Sequence, residues 1–217
     1  MRIAVIQMVL LVASFADTAL ATQQSEPFKT TIVSVRFLEH DDRTERRALP
    51  VSEFRVVFAF IGGSISGRAT TESLVKPQLG DDYRFTLDFS VIAAEAKLAA
   101  SEVTTQMGTL AVKPRETKLA RVGTFTMDAL LQNRLGSTAF IDGETAEVLV
   151  LIYIDRACTI VGRTHGTEHE YRYDAVIPQP GFTWLRFRKI EEGVTAVSPT
   201  DRPSVLQLSV APLQATD

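Results

Sequence analysis

Two histidines four residues apart, His165 and His169, frame the segment His165-Gly166-Thr167-Glu168-His169-Glu170, and Asp174 follows it. Imidazole nitrogens brought round a glycine-containing turn, completed by a carboxylate, form a ligand set for a divalent metal. This makes His165, His169 and Asp174 the candidate metal site. Strand geometry favours a plainer reading, a polar hairpin, because Glu168 and Glu170 would point to the face opposite His169. A second cluster, His40-Asp41-Asp42, pairs a base with carboxylates. It lies among Arg43, Glu45, Arg46 and Arg47, the mixed charge of a solvated loop. The adjacent acids Asp81-Asp82 and Glu191-Glu192 do not suit glycoside hydrolysis. Neighbours on a strand point apart, whereas that chemistry needs two carboxyl groups facing each other across about 5 Å or more.

Other catalytic patterns are missing from the chain: no Gly-x-Ser-x-Gly elbow, no phosphate-binding glycine loop, no His-Glu-x-x-His and no Cys-x-x-Cys. With three histidines and one cysteine, nucleophile-plus-base chemistry has few players. Cys158 has no partner for an intrachain disulfide and reads as a small buried hydrophobe between two apolar strands. The expectation is a non-enzymatic protein with no cofactor.

The strongest candidate for recognition is Phe182, Trp184, Arg186 and Arg188, alternating along one strand. An exposed indole beside guanidinium groups would stack on a sugar ring or anchor a protein partner. The plainer reading is a mixed edge with Trp184 half buried.

The elements that hold these residues are strands. In Tyr83-Arg84-Phe85-Thr86-Leu87-Asp88-Phe89 apolar and polar residues alternate strictly, the period of a half-buried strand. Further strands are expected at 31–37, 54–61, 65–70, 109–112, 118–127, 147–155, 159–164, 169–177, 182–189 and 205–210. Gly62-Gly63, Gly80-Asp81-Asp82 and Asp142-Gly143 mark turns between them. The alanine-rich stretch 93–102 predicts one short helix. Residues 54–61 and 147–153 are apolar on nearly both faces, as in central strands. The extra residue in Thr183-Trp184 predicts a β-bulge that turns Trp184 outward.

The halves also resemble each other. Phe54, Val56, Phe58 and Phe60 match Val148, Val150, Ile152 and Ile154 at an offset of 94; Gly67-Arg68 matches Gly162-Arg163 at 95. Leu110 to Pro114 matches Leu208 to Pro212 at 98. A slowly growing offset is what loop insertions in a duplicated module would produce. The expected fold is all-β, with two tandem immunoglobulin-like β-sandwich modules at 22–114 and 115–217. A single sandwich built from both halves, with the two apolar strands in one core, is the rival.

Residues 1–21 read as a signal peptide: Arg2 gives the basic start, Ile3 to Ala13 the apolar run, and Ala19-Leu20-Ala21 the small-x-small cleavage site. The apolar run is shorter than the ~20 residues of a membrane-spanning helix, and no later stretch of the mature chain reaches that length. The expected location is exported, periplasmic or secreted. At 45% hydrophobic and 23% charged, the composition is that of a folded domain. A net charge of −3 gives no sign of a nucleic-acid partner.

Glu170-Tyr171-Arg172-Tyr173-Asp174-Ala175-Val176-Ile177-Pro178-Gln179-Pro180-Gly181, followed by Trp184, Arg186 and Phe187, resembles the aromatic-x-aromatic-Asp, Ile-x-x-Pro pattern of small β-sandwich lipoproteins related to type III secretion pilotin chaperones. Glu45-Arg46-Arg47-Ala48-Leu49-Pro50 is similar to that family's Arg-x-Ala-Leu-Pro step, and Tyr83 to the tyrosine before its next strand. No lipoprotein cysteine follows the expected cleavage site. The resemblance implies immunoglobulin-like sandwiches that bind or escort envelope proteins without catalysis. A carbohydrate-binding module is the alternative, and a metal-dependent hydrolase a distant third.

Overall fold

The computed structural model describes residues 30–38, 51–63, 65, 74–103, 109–128, 134–136, 138–166, 169–200, 203 and 205–210. The expected signal peptide, the His40-Asp41-Asp42 cluster, the Glu45 to Pro50 step and most of the strand expected at 65–70 lie outside them. The elements are β1 (Thr30–Phe37), β2 (Phe54–Gly62), β3 (Leu74–Val75), β4 (Arg84–Asp88), α1 (Phe89–Ala99), β5 (Ser101–Glu102), β6 (Ala111–Lys113), β7 (Lys118–Asp128) and β8 (Arg134–Gly136). They continue with β9 (Thr138–Asp142), β10 (Val148–Ile154), β11 (Cys158–His165), β12 (Glu170–Ile177), β13 (Gly181–Glu191), β14 (Val194–Thr200) and β15 (Leu206–Val210). The fold is all-β. No helix among the described residues is long and apolar enough to cross a membrane.

The one α-helix among the described residues begins earlier than its alanines suggest. Phe89 ends the alternating run but enters the helix, because Asp88 caps it: the Asp88 carboxylate accepts from Ser90 N at 2.8 Å and Ser90 Oγ at 2.6 Å. Phe89, Ile92 and Ala96 then form one buried stripe at helical spacing. Val91 and Leu98 face solvent.

The fifteen strands among the described residues belong to one hydrogen-bonded network, and it forks at β10. Along one edge of β10, Val148 and Leu149 pair with β9, while Leu151 to Ile154 pair with β7. One branch runs β9-β15-β1-β4; the other runs β7-β2-β3. The space between them holds the larger core, with Phe58, Phe85, Phe89, Phe140, Leu151 and Trp184. From the opposite edge of β10 the sheet continues β13-β14-β12-β11-β6 and folds over a second core that contains Ile152, Ile160, Tyr173, Ala175, Leu185 and Val197. Strands β7, β10 and β13 are therefore a wall shared by two cores. Alternation does the sorting: Leu149, Leu151 and Tyr153 enter the first core, Ile152 and Ile154 the second. Both strands read as apolar on two faces, β2 and β10, are central.

The two cores are not the two expected modules. β1 pairs in parallel with β15, and β2 pairs along its length with β7, so both ladders cross the expected boundary. At that boundary stands a tight turn instead of a linker: Lys113–Pro114 is cis, and Thr117 Oγ1 donates to the Pro114 carbonyl at 2.7 Å. The matched strands also have different neighbours. β10 pairs with β13, whereas β2 does not pair with β4, whose Leu87-Asp88 matches Leu185-Arg186 of β13 at an offset of 98; β4 lies on β1. Half-buried strands between turns look alike in sequence whichever ladder they join, and that likeness produced the offset matches. The arrangement agrees with the rival reading, both apolar strands bordering one core.

Candidate functional site

Strand β13 does not present Trp184. The indole is fully buried in the first core, edge-on to Phe140 with ring centroids 5.2 Å apart. The β13–β10 register is continuous from Gly181 to Phe187, so the bulge expected near Thr183 is absent. The register shift lies between Lys189 and Glu191 instead, and the residue it displaces outward is Ile190. Phe182 packs at the margin of the same core, edge-on to Phe89 at 5.3 Å and Tyr153 at 5.4 Å. An aromatic platform for a sugar is thus not formed by Trp184.

The arginines of that stripe are structural. Arg186 donates from Nη2 to the buried Asp142 carboxylate at 3.1 Å, and its Nε lies 3.1 Å from Glu147. Arg188 donates from Nε to the same Glu147 at 2.6 Å. Asp142 and Glu147 bracket the β9–β10 turn, where Asp142 N donates to the Glu147 carbonyl at 3.0 Å. The hydrogen bond from Arg188, with both guanidinium charges, holds the Glu147 carboxyl below the usual range. The pair therefore locks a hairpin across the end of the first core.

The candidate metal ligands are not brought together. His165 sits opposite Glu170 across the β11–β12 ladder, and Asp174 sits opposite Val161, four residues further along. At strand rise this separates Asp174 from His165 by about 13 Å. His165 Nδ1 is 3.9 Å from Glu170, too far for a hydrogen bond. Glu170 is engaged by Arg172, whose Nε donates to it, and lies 3.7 Å from Arg163; the Arg172 bond keeps its carboxyl low. His169 is exposed, and its carbonyl accepts from Gly166 N at 2.7 Å. Among the described residues no three His, Cys, Asp or Glu side chains converge. Cys158 is buried in the second core, which raises its thiol pKa, with the Asp155 charge adding to the effect. It packs among the apolar side chains of that core.

A different surface stands out. One cross-strand row runs Gln207–Ile141–Val148–Phe187–Val197–Tyr173 through β15, β9, β10, β13, β14 and β12. At the Tyr173 end it is sealed in the second core; towards β9 it opens. Phe187 and Ile141 are half-buried, Val148 is 41% exposed, and the Tyr171 ring leans edge-on against Phe187 at 5.9 Å. The same face carries two more exposed aliphatics. Val205, 43% exposed, lies two residues before Gln207 and beside the Gly143 turn, where Gly143 N donates to its carbonyl at 2.8 Å. Ile32, 65% exposed, lies two before Ser34, the β1 residue paired with Gln207.

Gly143 keeps this face tight, since a side chain there would meet Val205 Cγ1 at 2.6 Å. Sequence reasoning missed the surface because Val148 lies in a strand apolar on both faces, where alternation cannot tell a covered residue from an open one. Strand β9, which supplies Ile141, was not anticipated at all. Comparison of the chain with protein-family models, curated proteins and solved structures gives no match.

Proposed function

We propose that this is a non-enzymatic, exported cell-envelope protein that binds or escorts another protein through the open face at Val148. The observation that carries the reading is the apolar row Ile141–Val148–Phe187, continuous with a sealed core yet open to solvent at one end. Contiguous apolar surface rimmed by polar residues is the ordinary chemistry of a protein interface. Charged side chains nearby are engaged in ion pairs that fix strands, Glu170 with Arg172 and Glu147 with Arg186 and Arg188. Export rests on the basic, apolar and small-residue order of residues 1–21.

The test is site-specific photo-cross-linking in the exporting host. A photoreactive phenylalanine analogue at position 148 is expected to yield a discrete protein adduct, and the same analogue at Leu98, exposed on α1, is expected to yield none. Identical adduct patterns from the two positions, or none from position 148, would reject the assignment. Intact mass of the exported product is expected to begin at Thr22; retention of residues 1–21 would reject the export reading.

A further inference from the structure

The two cores draw on the chain in different ways. Apart from Ile65 and Val103, the second core is built from residues between Leu110 and Val197, and none of its described members comes from β1, β4, β9 or β15. The first core reaches from one end of the described chain to the other: Val33 and Phe37 of β1 lie in it with Leu206, Leu208 and Val210 of β15. Those two strands pair in parallel, Val33 with Leu206 through Phe37 with Val210, and about 170 residues of chain separate them.

Strand β15 joins the outer branch to the rest of the sheet. Its residues Leu206 to Val210 pair with β9 on one side and with β1 on the other. Among the described strands β4 reaches the sheet only through β1, and β9 is laddered to β10 only at Phe140 and Ile141. Two flanking bonds lengthen the clasp, Leu38 N donating to the Val210 carbonyl at 2.9 Å and Gly143 N to the Val205 carbonyl at 2.8 Å. Every residue of β15 except Gln207 is buried. Without β15, β1 and β4 would be a two-stranded ribbon, which is marginal by itself in water. Phe140, edge-on to Trp184, would lose its cross-strand neighbour Leu208.

We infer that β15 is a strap that closes the first core last, after the second core has formed. The strands around the second core lie near one another in sequence and can pair once β14 is available, whereas the β1–β15 ladder requires closure of a loop that spans nearly the whole domain. In a chain exported from its N-terminus, β1 crosses first and waits for β15, so the first core closes only on the far side. That consequence rests on the export reading; the order of closure does not.

Pulse-labelling hydrogen exchange during refolding of the full chain from urea tests the order. Amides of β11, β12 and β14 are expected to gain protection before those of β1, β9 and β15. The fluorescence of Trp184, the chain's one tryptophan, is expected to reach its native value with the later group. Leu208→Ala, at a fully buried position, is expected to lower native-state protection in β1, β4 and β9 about 30-fold or more and to change β11 and β12 by less than about threefold.

Simultaneous protection of the two groups, or earlier protection of β1 and β15, overturns the inference. So does an equal loss of protection in both cores of Leu208→Ala, which would make the sheet one cooperative unit. If Leu208→Ala does not fold, the order of labelling in the parent decides. Retention of residues 1–21 in the exported product would remove the export consequence and leave the order of closure standing. Cleavage before Thr22 with both cores closing together would leave export standing and remove the strap.

Discussion

Strand β13 has an aromatic residue on each face, and the two meet different surroundings. Trp184 points between the branches of the forked sheet, where Phe140 and Leu151 close over it and nothing of it reaches solvent. Phe187, three residues on, points to the opposite side and is covered only in part, with the buried Val197 on one flank and the exposed Val148 on the other. The larger and more interface-like side chain is the buried one. Exposure here is set by what neighbouring strands bring to each face, and side-chain type says little about it.

The largest expected effect tests that contrast directly. Trp184→Ala should cost about 3–5 kcal/mol, because it empties the middle of a packed aromatic cluster. Phe187→Ala should cost clearly less, about 1–2 kcal/mol, since part of the ring is already in water. Urea denaturation of the two variants gives the comparison. Equal losses would mean that the second core is closed over Phe187 in solution.

Next in size is the ion-pair lock at the far end of β13. Asp142 is almost wholly buried, and Arg186→Ala would strand its carboxylate, with an expected loss of about 3 kcal/mol. Arg188 is mostly exposed and shares Glu147 with Arg186, so Arg188→Ala should lose no more than about 1 kcal/mol. Denaturant midpoints would show the difference. Two similar values would mean that Asp142 is satisfied by the Glu144 backbone alone, whose N donates to it at 3.0 Å.

A smaller effect concerns acid. The Arg188 hydrogen bond to Glu147 depresses that carboxyl, and at Asp155 the Lys118 N–H and Arg156 outweigh a burial that acts the other way. A carboxyl whose folded pKa lies below its unfolded one contributes stability above the unfolded value, and the contribution is lost as pH falls through the folded value. Stability is therefore expected to be level near neutrality and to fall below the ordinary carboxylate range. Glu147→Gln should be less stable than the parent at pH 7 and should approach it near pH 3. A constant gap between the two across that range, followed by urea titration, would remove Glu147 from the account.

What the sequence disclosed and what it hid divide along one physical line. Alternation located β1, β2, β4, β7, β10, β11, β12, β13 and β15 to within a few residues, because a strand's period is local. It also marked β2 and β10 as central. Pairing partners are not local, so the fork at β10 and the parallel β1–β15 ladder left no trace in the pattern, and two similar strings of strands passed for a duplication. The bulge expected at Thr183-Trp184 is absent, and the register shift that β13 does have, beside the tight β13–β14 turn that Gly193 makes with φ of +69°, had no counterpart in the alternation. Pro199 is tolerated in β14 because β12 pairs only as far as Val197, leaving that edge of Pro199 without a ladder partner among the described strands. Residues 31–37 were legible as a strand, but the side of it that faces water was not, so Ile32 drew no notice.

The smallest expected change in stability carries the most weight for function. Val148→Asp adds a charge at a position already 41% exposed, so the folded state should shift by no more than about 0.5 kcal/mol. Leu98→Asp, at the still more exposed α1 position, should be equally mild. If both variants keep the parent's denaturant midpoint and only Val148→Asp loses its protein adducts, cross-linked from a neighbouring position such as Ile141, the two exposed aliphatic sites are separated by role and not by packing. A large destabilisation by Val148→Asp would show that this end of the row is covered in solution. The contrast between a sealed face and an open one on β13 would then be lost, and with it the surface on which the binding proposal stands.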